Sequence, residues 1–162
     1  MTTNQRPRII LGCATMGPSG TNVARITTVD ETRTMFKMLR ANGYIELDTV
    51  RIYNDGKQEA FTRETGVLNE GFTIATKVYP VEAGMHKPEK LRETFEISLR
   101  ELGQPSVEIF YLHAPDRSVP FEETLEEVNK LYEEGKFKIF GLSNFAAWEV
   151  AQIVEICIFS MQ

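Results

Sequence analysis

Five short apolar runs recur along the chain at intervals of roughly 30 residues, and segments with helical periodicity separate them. Apolar runs without strict alternation are typical of parallel strands in a sheet that is covered on both faces. The order is therefore β-α, repeated about five times, and we expect a parallel sheet with helices packed against it. The predicted strands are Ile9–Ala14, Tyr44–Thr49, Phe72–Tyr79, Val107–His113 and Phe137–Ser143.

The intervening segments show helix patterns with recognisable ends. Between the third and fourth strands, Leu91, Phe95 and Leu102 share one helical face, with charged residues opposite. Thr28 or Asp30 is the expected N-cap of the first helix. A glycine stands where a helix is expected to end at three places, namely Gly43, Gly103 and Gly135.

Composition restricts the classes of protein that fit. The 162 residues suit a single domain, and 42% hydrophobic with 25% charged residues is typical of a globular chain. A net charge of −5 argues against a nucleic-acid binder, and no apolar run approaches the ~20 residues of a membrane span. The N-terminus has no apolar secretory segment. The two cysteines, Cys13 and Cys157, are expected to be reduced thiols in a cytoplasmic protein, a disulfide being the less favoured alternative.

Two architectures use this order of elements, an open doubly wound sheet and a (β/α)8 barrel. The open sheet predicts a phosphate-binding loop after the first strand. Residues 12–19 come close to that spacing, but Pro18 stands where the lysine is needed and supplies neither charge nor amide hydrogen. A G-x-G-x-x-G motif is also missing from the sequence. Both nucleotide motifs are therefore discounted.

The barrel predicts that polar residues at the carboxyl ends of several strands converge on one site. Four consecutive predicted strands end in such residues. Each residue alone has an ordinary structural explanation, such as a turn or a surface lysine, but their recurrence at four strand ends indicates a site. They are Asp48 and Tyr53 after the second strand, Lys77 in the third, His113 in the fourth, and Ser143 with Asn144 after the fifth.

Together these groups suit the reduction of a carbonyl. The developing alkoxide needs a proton donor, and Tyr53 can serve if a nearby ammonium lowers its pKa from the ordinary value near 10. Lys77 is suited to that effect, and Asp48 is suited to hold Lys77. A neutral His113 can donate a hydrogen bond to the carbonyl oxygen.

The pattern resembles the aldo-keto reductase superfamily from about residue 8 to residue 157. The branch that it resembles most includes aflatoxin-aldehyde reductases and potassium-channel β-subunits, the former more closely. The segments that carry the resemblance are Cys13–Gly17, Gly43-Tyr44, Leu47-Asp48-Thr49-Val50 with Tyr53, Thr76-Lys77, Tyr111–Asp116 and Gly141–Phe145.

The resemblance implies a (β/α)8 barrel that binds NADPH and reduces aldehydes or ketones to alcohols. It implies that Tyr53 is the proton donor, supported by Asp48 and Lys77, and that His113 orients the carbonyl. It further implies that Ser143 and Asn144 hold the nicotinamide carboxamide and that Met16 lies near the ring. Asp48 is counted with both the catalytic and the cofactor-binding residues. Val50 replaces the usual alanine.

The chain is much shorter than the members of the family that it resembles. Family members have about 300 residues and eight strands, so we expect residues 1–162 to be one truncated domain of about five βα units. The last helix is predicted over residues 148–157, with an apolar tail after it. The missing strands are also expected to leave an uncovered barrel interior and open strand edges, which template pairing. We therefore expect a homo-oligomer, a dimer that covers the interior and in which this tail takes part. Two functions stay open, an NADPH-dependent reductase and a non-catalytic interaction module.

Overall fold

The computed structural model of the chain describes residues 7–160. Within them, five strands form one sheet in which every pairing is parallel. The strands are β1 (Ile10–Gly12), β2 (Glu46–Asp48), β3 (Thr73–Val78), β4 (Val107–Leu112) and β5 (Phe137–Leu142). The helices are α1 (Val29–Ala41), α2 (Tyr53–Gly56), α3 (Gln58–Glu64), α4 (Pro88–Leu102), α5 (Phe121–Glu133) and α6 (Ala147–Ser160), with a 3₁₀ turn at Val67–Glu70.

The strand order decides between the two architectures that the sequence leaves open. Neighbours in the sheet follow chain order from β1 to β5, without reversal in the described part of the chain. A doubly wound sheet reverses its order at a switch point, whereas a (β/α)8 barrel keeps it. The structure is therefore a partial (β/α)8 barrel of five βα units, and the predicted fold class is confirmed.

The face of the sheet that is turned to the helices, called the outer face below, is closely packed. Leu47, Ile74, Phe110 and Leu112 lie on it, and none of them is more than 4% exposed. The ring of Phe110 lies 4.3 Å, centroid to centroid, from the ring of Phe95 in α4. Removal of these side chains from water is the main force that holds the helices to the strands.

The opposite face, called the inner face, is open in the described part of the chain. Ile10 and Ile139 are 40% and 46% exposed. A cleft of about 330 Å³ runs along this face from β1 to β4. The apolar strand sequences are typical of a sheet covered on both faces, but the small number of strands predicts the uncovered interior that is found. The inner face of a barrel is covered by the strands of the opposite wall, and five strands do not supply that wall.

The helix ends agree with the sequence. Thr28 is the N-cap of α1, because its hydroxyl accepts a hydrogen bond from the backbone N–H of Glu31 at 3.3 Å. Gly103 ends α4 in the left-handed conformation, at φ 66°, which favours glycine. The first two strands are shorter than predicted, with three residues each.

The final helix, α6, continues without a break to Ser160, so most of the segment predicted as a tail is helical. Met161 and Gln162 lie outside the described residues. Trp148, Val154 and Ile158 of α6 are each at least half exposed. No described helix has the length and apolarity needed to cross a lipid bilayer.

Candidate active site

The residues predicted to form a site lie at one end of the sheet. Asp48 is the last residue of β2, and Lys77 lies next to the end of β3. His113 follows β4 directly, and Ser143 follows β5. Because all strands are parallel, their carboxyl ends form one edge, and the βα loops there bring these side chains together.

An ion pair between Lys77 and Asp48 forms the base of the site. The Lys77 ammonium donates to Oδ1 of Asp48 and, at 3.1 Å, to the backbone carbonyl of Thr49. The Lys77 side chain is only 10% exposed, so it is held mostly out of water. The same ammonium lies 5.7 Å from the ring centroid of Tyr111. A largely desolvated cation with two oxygen acceptors and an aromatic neighbour has a fixed position.

His113 lies between two tyrosine rings. It meets Tyr53 and Tyr79 edge-on, with centroid distances of 6.0 Å and 5.3 Å. Burial lowers the pKa of His113, and the Lys77 ammonium lowers it further. The imidazole is therefore neutral at neutral pH, which suits a hydrogen-bond donor to a carbonyl oxygen.

Tyr79 was missed by the sequence analysis. It is 39% exposed and follows β3, two residues after Lys77. Alternate residues of a strand point to the same side, and that period was a signal that could have found it.

The predicted lowering of the pKa of Tyr53 is not found. Burial raises the pKa of its phenol, and the Asp48 carboxylate raises it further. The ammonium of Lys77 that was expected to lower it is engaged by Asp48. A phenol with a raised pKa stays protonated at neutral pH, which is the form that a proton donor needs.

A left-handed turn fixes Tyr53. The next three residues, Asn54, Asp55 and Gly56, all have positive φ. Asn54 is fully buried, and its side-chain amide donates to the backbone carbonyls of Ala14 at 3.1 Å and Met16 at 2.9 Å. This amide therefore ties the turn after Tyr53 to the loop after β1.

The loop after β1 leaves no room at the point where it meets this turn. A Cβ added at Gly17 would lie 2.5 Å from the Asn54 side chain, so only glycine fits there without a shift. The third non-glycine residue with positive φ in the described chain is Asn144, also at the site. Strained backbone of this kind is often found at functional sites.

Ser143 and Asn144 lie together directly after β5. The Asn144 amide donates to the backbone carbonyl of His113 at 2.8 Å and to the Ser143 hydroxyl at 3.0 Å. These bonds orient its Oδ1 as an acceptor, and Asn144 is exposed. An amide ligand needs both an acceptor and a donor, and the two side chains offer both. They fit the nicotinamide carboxamide that the sequence predicts here.

Met16 lies in the loop after β1, next to the turn that follows Tyr53. Its side chain is 1% exposed and belongs to the apolar core, so it is not presented to a ligand. Its backbone carbonyl instead supports Asn54. Both cysteines are free thiols, as predicted. No cluster of potential metal ligands occurs among the residues that the structure describes.

Comparison with known proteins finds relatives that are named as reductases. The chain is 38% identical over 159 residues to the aldo-keto reductase pigE of Monascus ruber, which covers 92% of this chain and 46% of that protein. It is 41% identical over 157 residues to human aflatoxin B1 aldehyde reductase member 4, and the match covers 94% of this chain and 45% of that protein. The chain thus spans about half the length of the curated relatives it matches.

Solved structures share the fold. The thermostable aldo-keto reductase Tm1743, in complex with the inhibitor epalrestat, has a TM-score of 0.78 at 24% identity, covering 95% of this chain and 55% of that chain. The holo form of the aldo-keto reductase AKR11C1 from Bacillus halodurans has a TM-score of 0.75 at 23% identity, covering 91% and 49%. The sequence model of a protein family described as "Aldo/keto reductase family" matches residues 8–162 of this chain. The chain therefore belongs to the aldo/keto reductase family.

Proposed function

We propose that this chain carries the acid–base site of an NADPH-dependent reduction of aldehydes or ketones to alcohols. The observation that carries the proposal is the Lys77–Asp48 ion pair at the carboxyl edge of the sheet, where Tyr53 and a neutral His113 also lie. Family membership supports the same reaction class.

Each side chain has a distinct role in the proposed reaction. His113 donates a hydrogen bond to the carbonyl oxygen and orients it. Tyr53 gives its phenolic proton to that oxygen as negative charge develops, so the alcohol leaves with a new O–H bond. The Lys77–Asp48 ion pair supports this end of the site, and Asp48 holds the ammonium in place. Tyr53 then regains its proton from solvent, because the residue is partly exposed.

NADPH, when bound, supplies the two electrons and the hydrogen that the carbonyl carbon gains. On this chain, Ser143 and Asn144 would hold its carboxamide by the hydroxyl and the amide oxygen. Asp48 lies on the same inner face and is part of the predicted cofactor surface.

The substrate side of the site is aromatic. Tyr53, Tyr79 and His113 present three rings around the position of the carbonyl. Aromatic walls favour flat or apolar substrates, so we propose aromatic or small aliphatic aldehydes. The free thiols of Cys13 and Cys157 suit a reducing compartment, and we place the reaction in the cytoplasm.

The exposed inner face and the apolar side chains of α6 support association with a second copy. The edge strands β1 and β5 are open, and Trp148, Val154 and Ile158 are exposed on α6. A dimer would cover these surfaces. The same surfaces favour the second candidate function, an interaction module that keeps the site residues without turnover.

The first experiment is a calorimetric titration of the chain with NADPH, followed by aldehyde reduction assays. We expect saturable binding and turnover that Tyr53→Phe abolishes while binding is kept. Tyr132→Phe is the matched control, because Tyr132 is 54% exposed on α5 and its ring contacts Phe137 on the outer side of the sheet. Turnover that survives Tyr53→Phe would remove Tyr53 from the mechanism. A chain that binds no NADPH would favour the interaction module.

A further inference from the structure

The carboxyl group of Glu59 lies fully buried behind the site, although it has no role in the reaction proposed above. Glu59 belongs to α3, on the outer side of the sheet. Its Oε1 is hydrogen-bonded to the hydroxyls of Thr49, at 3.1 Å, and Thr76. Both threonines are 0% exposed. One carboxyl oxygen therefore joins two neighbouring strand ends.

These two threonines adjoin the ion pair in sequence. Thr49 follows Asp48, and Thr76 precedes Lys77. The backbone carbonyl of Thr49 also accepts a hydrogen bond from the Lys77 ammonium at 3.1 Å. Because adjacent strand residues point to opposite faces, fixing the threonines on the outer face fixes Asp48 and Lys77 on the inner face.

The count of hydrogens around Glu59 indicates its protonation state. The Thr49 hydroxyl has one hydrogen but lies within bonding distance of two acceptors, Oε1 of Glu59 and the Ala75 carbonyl at 2.8 Å. An ionised carboxylate can only accept, so one of these two contacts would lack a hydrogen. A protonated Glu59 supplies it. The acid donates to Thr49, Thr49 donates to Ala75, and Thr76 donates to Glu59.

The surroundings of Glu59 agree with a neutral acid. No lysine, arginine or histidine in the described chain forms an ion pair with it, and its Oε2 is buried without a hydrogen-bond partner there. The nearby carboxyl group of Glu101, on α4, is paired with Arg51. Burial raises the pKa of Glu59, and Glu101 raises it further, which outweighs the opposing effect of the hydroxyls around it. An unpaired charge in such a place is costly, whereas a protonated acid is not.

We propose that Glu59 is a positioning residue for the Asp48–Lys77 pair, and that it acts as a neutral carboxylic acid bridging Thr49 and Thr76. Its importance for catalysis rests on the proposed function, but the bridge itself does not. Glu59 touches neither substrate nor cofactor in this arrangement. It sets the position of the groups that do.

The bridge is tested without turnover by nuclear magnetic resonance. The ammonium signal of Lys77, assigned by its loss in Lys77→Arg, is visible only while its hydrogens exchange slowly with water. We expect the signal to persist in Glu59→Gln, which keeps a donor and an acceptor, and to be lost in Glu59→Met, which has neither. A Lys77 signal that is unchanged in folded Glu59→Met overturns the proposal.

Two less disruptive variants test the bridge if Glu59→Met does not fold. Thr76→Val keeps the shape of the side chain and removes one contact to Glu59. Thr62→Val is the matched control, because Thr62 is equally buried and hydrogen-bonded, but to Gln58. We expect only Thr76→Val to broaden the Lys77 signal. Equal broadening in both variants would reduce the effect to general destabilisation and overturn the proposal.

The protonation state has its own measurement. The carboxyl carbon signal of Glu59, assigned by its absence in Glu59→Gln, is expected at pH 7 at the position of a carboxylic acid. A carboxylate position at pH 7 overturns the neutral bridge.

Kinetics then separate this inference from the proposed function. Where the chain is active, Glu59→Met is expected to lower kcat roughly 10- to 100-fold with little change in KM, and Glu59→Gln to restore it. If the chain shows no turnover but the Lys77 signal is lost in Glu59→Met, the proposed function is wrong and the bridge is confirmed. Suppose that turnover depends on Tyr53, but that Glu59→Met changes neither kcat nor the Lys77 signal. This result would overturn the bridge and leave the proposed function intact.

Discussion

The outer and inner faces of the sheet are made of the same strands but follow different physical rules. On the outer face, apolar side chains such as Phe110 are removed from water, and polar ones such as Thr76 bond to each other. On the inner face, Lys77 and Tyr111 are partly exposed, and Ile139 has no cover. Alternation along each strand thus separates stability from chemistry. A residue in one register position holds the fold, and its neighbour faces the open cleft.

The largest expected difference between the faces is in the free energy of unfolding. Phe110→Ala should cost about 3–5 kcal/mol, because it opens a cavity in the outer packing. In the monomeric chain, Ile139→Ala, on the inner face and 46% exposed, should cost less than about 1 kcal/mol. Urea denaturation at an unchanged m-value measures both. A similar loss for the two would mean that the inner face is covered in solution, as the proposed dimer requires.

The turn after Tyr53 sharpens the comparison on a smaller scale. Asn54 and Asp55 have nearly the same left-handed conformation, with φ of 55° and 57°, but only Asn54 is buried and bonded to the loop after β1. Asn54→Ala should therefore cost about 2 kcal/mol more than the exposed Asp55→Ala. Thermal unfolding of the two variants gives the difference. Equal costs would show that backbone strain, rather than the buried amide, decides the stability of this turn.

The smallest expected effect is a dependence on pH. Burial lowers the pKa of His86, which is 2% exposed in the loop after β3. Between the folded and unfolded pKa values, the unfolded chain binds more protons, so stability is complete above about pH 6.5 and is lost as the pH falls below it. His86→Leu should flatten this loss.

The quantity to measure is the difference between the wild type and His86→Leu in unfolding free energy from pH 5 to pH 8. Groups that do not interact with His86 cancel in that difference, including Glu59, whose raised pKa acts with the opposite sign. Identical pH profiles would show that His86 titrates alike in the folded and unfolded chain.

Much of the fold could be predicted from sequence because it rests on local patterns. The five strands, the N-cap at Thr28 and the helix end at Gly103 each depend on a few adjacent residues. The ion pair between Asp48 and Lys77 could be predicted too, because parallel strands place their carboxyl ends at one edge. These features need periodicity and chain direction alone.

What could not be predicted depends on contacts across elements. The pKa of Tyr53 is raised by burial and by the Asp48 carboxylate, and the order of residues shows neither effect. No sequence pattern connects Glu59 with the strand ends. Its carboxyl group reaches Thr49 and Thr76 only when α3 packs on the sheet. The local sequence around Ile139 reads as a buried strand, and its exposure follows only from the number of strands, which leaves the inner face without an opposite wall among the described residues.

The strand order also bears on how the chain folds. Each strand pairs with the strand that precedes it, so every pairing closes a segment of about 30 residues. The entropic cost of closure rises only with the logarithm of length, and these pairings therefore differ little in cost. Among the five described strands, none pairs with a strand that is made much later. The sheet can grow one βα unit at a time as the polypeptide leaves the ribosome, with each new helix covering the strand just added.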